Sequence, residues 1–438
     1  MKEKNIRQNR IGDNSMQYDM IIIGAGAAGL AAAAYSALHH SELQILVLEK
    51  EKVPGRKLSA SGNGKCNLTN RAFCADCYHT HNNEWMEQWT KAHSYMEILH
   101  FFEKIGILLY EKNGYVYPVS NQAKQVTELL YEESAGEGVR FLFQTRVSVI
   151  LTPNRPKQDF YQIKADFPER ESLCFMAKNV ILCTGGKAAP ALGGCTDGYK
   201  LASQIHMKQH PCHPVLCPIY VEDADLALAK GTRIDAVVSL RLEDHTILRE
   251  AGQVQINDHC LSGIVIMNLS VYVEQERFSG EDCLTLDVVP YFTWDDLRNF
   301  WDRQQKLFPS MKTAAAMNGL LPAAFNTYIL KRLKLSEGMR LEQMTEKQKN
   351  RLTSMLKKLT FTPAIRGQYD KAQATGGGIA LEEVNVSSSE TIRYPGLYIC
   401  GEVLDADGKC GGYNLTFAIL SGIQAASHIL EKYSATIL

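Results

Sequence analysis

Residues 18–23 (YDMIII) form a short, branched apolar run of the kind a strand buried on both faces requires, and GAGAAG follows at once at 24–29. The next stretch, LAAAAYSALHH at 30–40, is alanine-rich and predicts a helix, while QILVL at 44–48 predicts a second strand that ends at Glu49. Strand, helix and strand in that order predict a right-handed βαβ unit. Residues 84–105 and 124–134 read as helical, 114–119 (GYVYPV) as a strand pair and turn, and 139–151 and 160–165 as alternating strands of a small sheet. Residues 179–183 (NVILC) read as another buried strand, ending in Thr184-Gly185-Gly186.

The pattern then changes. From about 212 to 289 it breaks into short alternating segments such as AVVSLRL and GQVQI, which predict antiparallel strands or a small barrel. Residues 294–358 are helical and charged, with Thr345 and Gln348 placed as a capping box. After 361 the α/β style returns in TGGGIAL, PGLYICGEV and a final helix, NLTFAILSGIQAASHILEKY. The predicted fold class is therefore α/β: a Rossmann-like dinucleotide-binding domain assembled from both chain ends, with inserted strand-rich (β-barrel-like) and helical domains. The expected boundaries are a flexible N-terminal extension (1–17), the first part of the dinucleotide domain (18–198), the strand-rich insert (199–293) and the helical insert (294–358). A return strand to the insert (359–372) and the second part of the dinucleotide domain (373–438) complete the chain.

Composition narrows the function classes. With 438 residues, 45% apolar and 22% charged, the chain is a globular one of two or three domains. A formal net charge of −1 gives no broad attraction to nucleic acid or anionic lipid, so neither partner is expected. No run of 18 or more uncharged apolar residues predicts a spanning helix, and the polar first 15 residues lack the apolar centre of a signal peptide. A cytoplasmic location follows as the expectation, with the twelve cysteines mostly as thiols.

The chemistry begins at residues 24–29. Gly24 permits the tight turn, Gly26 lets backbone approach a pyrophosphate, and Gly29 lets helix and sheet pack closely, with Ala25, Ala27 and Ala28 between them. The N–H groups and positive end of the helix that opens there hold phosphate. Glu49 is placed to accept hydrogen bonds from ribose hydroxyls. Three features favour FAD over NAD: a domain built from both chain ends, Gly401-Glu402 at the end of a strand where a ribityl chain would need a carboxylate, and Gly411-Gly412-Tyr413-Asn414 opening the last helix where charge develops on a reduced flavin. No second G-x-G-x-x-G unit is present, so a nicotinamide nucleotide would dock transiently.

The stretch SASGNGKCNLTN at 59–70 resembles the end of a phosphate-binding P-loop, but Ser59 and Cys66 stand where that loop needs Gly and Ser or Thr. With DMIIIGAGAAGLAAA, GRKLSASGNGKCNLTN, GYVYPVSNQAKQV, CTGG, TDGYKLA, LSGI and CGEVLDADGKCGGYNLTFAILSG, the sequence resembles the BaiN/YhiN family of FAD-dependent oxidoreductases, aminoacetone-oxidase-like flavoproteins, from residue 18 to about 428. The resemblance implies roles residue by residue. Glu49 and Lys50 would serve the adenosine ribose, Arg56 and Lys57 the adenosine-diphosphate part, and Val147 the adenine through its backbone. Ser61, Gly62, Asn63, Gly64, Lys65, Cys66 and Asn67 would run along the cofactor toward the ring. Thr184 and Gly185 would flank the pyrophosphate, Gly401, Glu402 and Asp405 the ribityl region, and Gly411, Gly412, Tyr413 and Asn414 the ring. Apart from the resemblance, Lys65 near the ring would favour its anionic reduced form and Tyr413 would stack on or cap the pocket, with a merely structural role the alternative for each. The chain departs from the family pattern at His206-Met207 and around Asn257, Asp258, Cys260 and Ile264, all in the insert that should shape the substrate pocket.

Other reactive residues carry no assigned role. Cys74 and Cys77, followed by His79 and His81, lack a second ligand pair, and prolines 211 and 214 break any shared helical face of His206, His210 and His213, so no metal site is predicted. Cys66 reads as a small packed residue more than a reactive thiol. No Ser/His/Asp set or paired carboxylates emerges, consistent with hydride chemistry carried by a flavin. The expectation is an FAD-dependent oxidoreductase acting on a small or medium-sized organic substrate, by NAD(P)H-dependent reduction of an activated C=C bond or by oxygen-dependent oxidation of a small amine. An FAD-containing, RNA-associated binding protein is the alternative of another class.

Overall fold

The computed structural model describes residues 16–39, 42–153 and 159–437. Most of the extension expected over residues 1–17 lies outside the described residues, but Met16 and Gln17 already belong to the first strand, paired with Phe175 and Met176. That strand, Met16–Ile23, lies between the parallel strands Ile45–Leu48 and Arg170–Leu182, and Arg140–Leu142 extends the sheet beyond Ile45–Leu48. The sheet's core strands are buried on both faces, which is why their sequences read as continuous apolar runs.

The two chain ends meet on strand Arg170–Leu182. Its first half pairs antiparallel with Tyr161–Phe167, whose last partner is Ala177. From Val180 the same edge is taken by Leu397–Ile399, parallel. Gly396 makes the handover possible, because a Cβ there would sit 2.7 Å from the Lys178 carbonyl and its φ is +90°. The turn is held by Glu390, which accepts the Gly396 N–H at 2.8 Å, and by the Tyr161 hydroxyl, which donates to the carbonyls of Tyr394 and Pro395. Helix Ala27–His39 packs across the sheet against the final helix, Tyr413–Ile437. They cross closely at Gly422, where a Cβ would come within 2.3 Å of the Ala28 carbonyl.

The insert is a seven-stranded antiparallel sheet closed by one segment. Leu359–Phe361 pairs with Leu284–Asp287 at one edge, Pro363–Ala364 pairs with Ile219–Val221 at the other, and Thr362 lies between. Both edges are thereby covered, and the proline sits where a missing N–H is tolerated. Helices Trp294–Leu307, Ala323–Leu333 and Glu346–Lys357 share one core with this barrel, in which Trp301, Phe325 and Leu352 join Val238, Val254 and Leu286. The predicted capping box forms: Gln348 donates its N–H to the Thr345 hydroxyl while its side-chain oxygen accepts the Thr345 N–H. Strands Gln209–Val215 and Ala374–Ile379 pair as an antiparallel neck between the barrel and the first sheet.

Two readings change in detail. The helical stretch expected at 84–105 is two helices, Asn83–Ala92 and Tyr95–Lys104, because His93 is extended and Ser94 forms a new capping box with Glu97. Helix Ile264–Glu274 falls in the segment that reads as all strand. Its sequence, IVIMNLSVYVE, is apolar on most sides, and such a run does not distinguish a buried helix from a strand.

Candidate active site

A cavity of about 690 Å³ opens where helix Ala27–His39 begins, and both halves of the first domain and the insert contribute to its walls. Gly24 (φ +107°) turns the chain, and a Cβ there would meet the Cys183 carbonyl at 2.6 Å. At Gly29 a Cβ would lie 1.9 Å from the Gly24 carbonyl, so helix and loop can approach only without one. Gly26 differs: no protein atom lies within 4 Å of its missing Cβ, and the residue lines the cavity. The fingerprint thus divides into two glycines required by the protein and one that keeps space free at a helix N-terminus.

Glu49 is buried at the cavity edge, where its carboxylate accepts the N–H of Ala25 at 2.6 Å and of Glu51 at 2.8 Å. Burial pushes its carboxyl above the usual range, more than these two hydrogen bonds lower it. Each oxygen still has acceptor capacity for a hydroxyl. Charges around it are paired: Arg56 with Glu51, and Arg146 with Asp197 at 2.9 Å. Farther along, Lys57 binds Glu402 at 2.7 Å, and Glu402 also accepts the Thr375 N–H at 2.9 Å. Lys57 therefore meets the carboxylate expected at a ribityl chain, rather than standing alone near a diphosphate.

Of the other expected residues, Ala25, Ala27, Ala28, Lys50, Val147, Thr184, Gly185 and Gly401 line the cavity, as do Ser61, Gly62, Asn63, Asn67, Gly411, Gly412 and Asn414. Two buried polar atoms on these residues, Asn67 Oδ1 and Thr184 Oγ1, have no hydrogen-bond partner. Such atoms are costly unless something occupies the space in front of them.

Several expected residues lie elsewhere. Gly29 packs beneath the loop. Gly62, Asn63 and Cys66 all have left-handed backbone (φ 56°, 54° and 61°), and this coil turns 64–66 away from the residues on either side. Gly64 and Lys65 are therefore outside the lining, and Lys65 is exposed. Cys66 is fully buried, and burial pushes its thiol up to about 11, so it packs as a neutral group. Tyr413 does not cap the cavity; it is buried edge-on against Tyr78, at 6.1 Å between ring centres. The Asn414 side chain closes its own turn through the N–H and carbonyl of Gly408. Asp405 is buried outside the cavity among histidines, accepting the His81 N–H at 2.9 Å.

The structure also adds residues. Tyr115, Tyr117, Asp197, Ile264, Lys409 and Cys410 line the cavity and stand inside segments quoted above for the family resemblance, though no role was attached to them. Leu216, Met267 and residues 370–373 carry no such sequence signal, since only the closing of the insert over the first domain brings them in. Burial pushes the Cys410 thiol up to about 12, helped by Glu250 nearby.

A glycine-spaced helix start, a buried carboxylate after the second strand, an elongated cavity and unpartnered Asn67 and Thr184 together fit an extended dinucleotide. Fold and site define a Rossmann-type flavoprotein oxidoreductase. The chain belongs to the family described as HI0933-like protein Rossmann domain, whose model matches residues 18–428. It is 31% identical to 3-dehydro-bile acid delta(4,6)-reductase of Clostridium scindens over 97% of this chain and 100% of that protein. It is 25% identical to ribosomal RNA dihydrouridine synthase of Escherichia coli over 96% of this chain and all of that one. Among solved structures, 3-ketosteroid delta1-dehydrogenase of Sterolibacterium denitrificans shares the fold, with a TM-score of 0.52 at 11% identity over 95% of this chain and 100% of the other. The FAD-dependent oxidoreductase class holds, and no helix among the described residues is long and apolar enough to cross a membrane.

Proposed function

We propose that the protein reduces an activated C=C bond conjugated to a carbonyl in a small or medium-sized organic substrate of the enone or steroid type, with a nicotinamide nucleotide as the transient reductant. The observation that carries this reading is the state of the cavity's carboxylates. Glu49 is held by two backbone N–H groups, Glu51 by Arg56, Asp197 by Arg146 and Glu402 by Lys57, and Asp370 is exposed. With Glu49 taken up by the cofactor ribose, a small cationic amine meets no unpaired buried carboxylate, whereas Leu216, Ile264 and Met267 offer an apolar wall to a neutral ring system. The full-length resemblance to a delta(4,6)-reductase supports the same chemistry.

FAD, when bound, accepts and delivers the hydride at its N5. The chain's residues do the rest. The start of helix Ala27–His39 and Gly26 would hold the diphosphate, and Glu49 would hold the ribose hydroxyls. Asn67 and Thr184 would donate or accept hydrogen bonds along the cofactor. Met267 and Ile264 give the substrate side of the cavity apolar side chains. Tyr115, a lining residue whose ring edge lies near Gly411, is the proposed proton donor to the carbon beside the carbonyl.

The test is anaerobic. NADH or NADPH should bleach the bound flavin, and an enone steroid should restore its colour. Flavin that neither nucleotide reduces, but that a small amine does, overturns the reading in favour of the amine oxidase. A second reading places the double bond in an RNA base, favoured by the full-length likeness to a ribosomal RNA dihydrouridine synthase. Restored colour with ribosomal RNA but not with enones selects it, as does loss of that effect at high salt.

A further inference from the structure

We propose that His81, His210 and Asp405 form a binding site for one divalent cation of the zinc class, outside the cofactor cavity. The fold gathers these residues from three distant segments. His81 precedes helix Asn83–Ala92, His210 stands in the neck strand Gln209–Val215, and Asp405 precedes the turn into the last helix. His81 Nδ1 lies 3.0 Å from Asp405 Oδ2, and His210 Nε2 lies 3.9 Å from that same oxygen. All three donor atoms fall within 4.8 Å of one another. A tetrahedral zinc ion bonded at about 2.0–2.2 Å sets its donors roughly 3.3–3.6 Å apart, so the three donors must draw closer to hold one ion.

One feature points to a ligand rather than to a simple ion pair. His210 Nε2 is buried with no hydrogen-bond partner, a costly state that a metal bond removes. The two imidazoles are stacked, with ring centres 3.8 Å apart at 1°, so one ring must turn for both lone pairs to converge on an ion. His81, whose side chain is 49% exposed, is free to tilt from the stack and aim Nδ1 at the ion, whereas Asp405, at 2%, is fixed. Asp405 is already oriented by the His81 N–H and, at 3.4 Å, by the Thr80 hydroxyl. Two imidazoles and one carboxylate suit zinc better than magnesium or calcium, which favour oxygen donors alone. Three protein donors leave a fourth position for water on the exposed side of His81.

The ion would tie the root of the barrel to both parts of the first domain. It would also take the place of the hydrogen bond between His81 Nδ1 and Asp405.

The experiment uses chelator-treated, FAD-loaded protein titrated with Zn²⁺ by calorimetry. Co²⁺ difference spectra report the donors, and the thermal midpoint is followed with and without zinc. One equivalent of Zn²⁺, a raised midpoint and a cobalt spectrum without thiolate charge transfer are expected. His81→Ala, at a half-exposed position that should leave folding and FAD content intact, should weaken zinc at least tenfold, and His210→Ala likewise. The double variant Cys74→Ser/Cys77→Ser, which removes the neighbouring thiol pair (3.5 Å between sulfurs), should bind normally. Absence of one-to-one binding, unchanged affinity in His81→Ala, or loss of binding in the double serine variant would each overturn the proposal.

Discussion

The two walls of the cavity are built by opposite means. The wall from the first domain is backbone, glycine and charges already paired within the protein, from Gly26 and Glu49 to Lys57–Glu402. The wall from the insert is side chain, with apolar Leu216, Ile264 and Met267 beside Asp370, Lys371 and Gln373. A backbone wall recognises what every copy of a cofactor has in common, a diphosphate and hydroxyls. A side-chain wall can be recut by substitution without disturbing that recognition. Cofactor affinity and substrate choice should therefore be separable by mutation.

The sharpest break comes within the fingerprint. Gly29→Ala places a methyl 1.9 Å from a carbonyl oxygen, which should cost about 3 kcal/mol or more and strip FAD from the protein, read by thermal unfolding and flavin content. Gly26→Ala meets no protein atom, so stability should change by no more than ~0.5 kcal/mol while FAD retention falls. Equal destabilisation by both would mean that Gly26 guards packing and not cofactor space.

Next, Glu49→Ala removes the acceptor proposed for ribose and should weaken FAD by roughly 10- to 100-fold in dialysis, the scale of hydrogen bonds to a charged group. Unchanged affinity would remove that role. On the other wall, Met267→Ala should raise KM for an enone by about tenfold with flavin content unaltered, the usual scale for one reshaped apolar contact. A loss of FAD there would mean that the walls are not independent.

A pH series addresses the join between the chain ends. Burial alone would raise the Glu390 carboxyl, but the Lys432 ammonium and the Gly396 N–H outweigh it and hold the group below its ordinary 4.5. A depressed carboxyl contributes stability above its unfolded value and loses it as pH falls through the folded one. Stability should therefore drop below about pH 4.5, and Glu390→Gln should flatten that part of the profile while costing ~1 kcal/mol at neutral pH. The smallest effect belongs to Lys65→Ala, within ~0.5 kcal/mol and with normal FAD content, because the residue is exposed outside the lining.

Much of this wall structure was legible in the chain. The run YDMIII-GAGAAG-LAAAA carries a buried strand, its turn and its helix with little ambiguity, since apolar periodicity and glycine spacing act locally. Glu49 follows from the same unit. The loop at 59–70 was legible only as a whole. Its left-handed residues at 62, 63 and 66 decide that Asn67 reaches the cavity while Lys65 does not, and composition does not encode that turn. Tyr413 and Asp405 were placed by motif, yet each is held by partners far away in sequence: Tyr78 for the first, His81 for the second.

The sequence by itself determined the class of protein: the dinucleotide fingerprint, the return of α/β pattern at the far end, and the capped helices of the insert. These depend on interactions across a few residues, where backbone preference and periodicity suffice. Only the tertiary structure decided which side chains share a space. Strand Arg170–Leu182 exchanges Tyr161–Phe167 for Leu397–Ile399 along one edge, and Leu359–Phe361 with Pro363–Ala364 closes the barrel. Those pairings bring Met267 to the cavity and His81 to His210 and Asp405. They are long-range choices fixed by burial and hydrogen-bond satisfaction over the whole molecule, which no local pattern specifies.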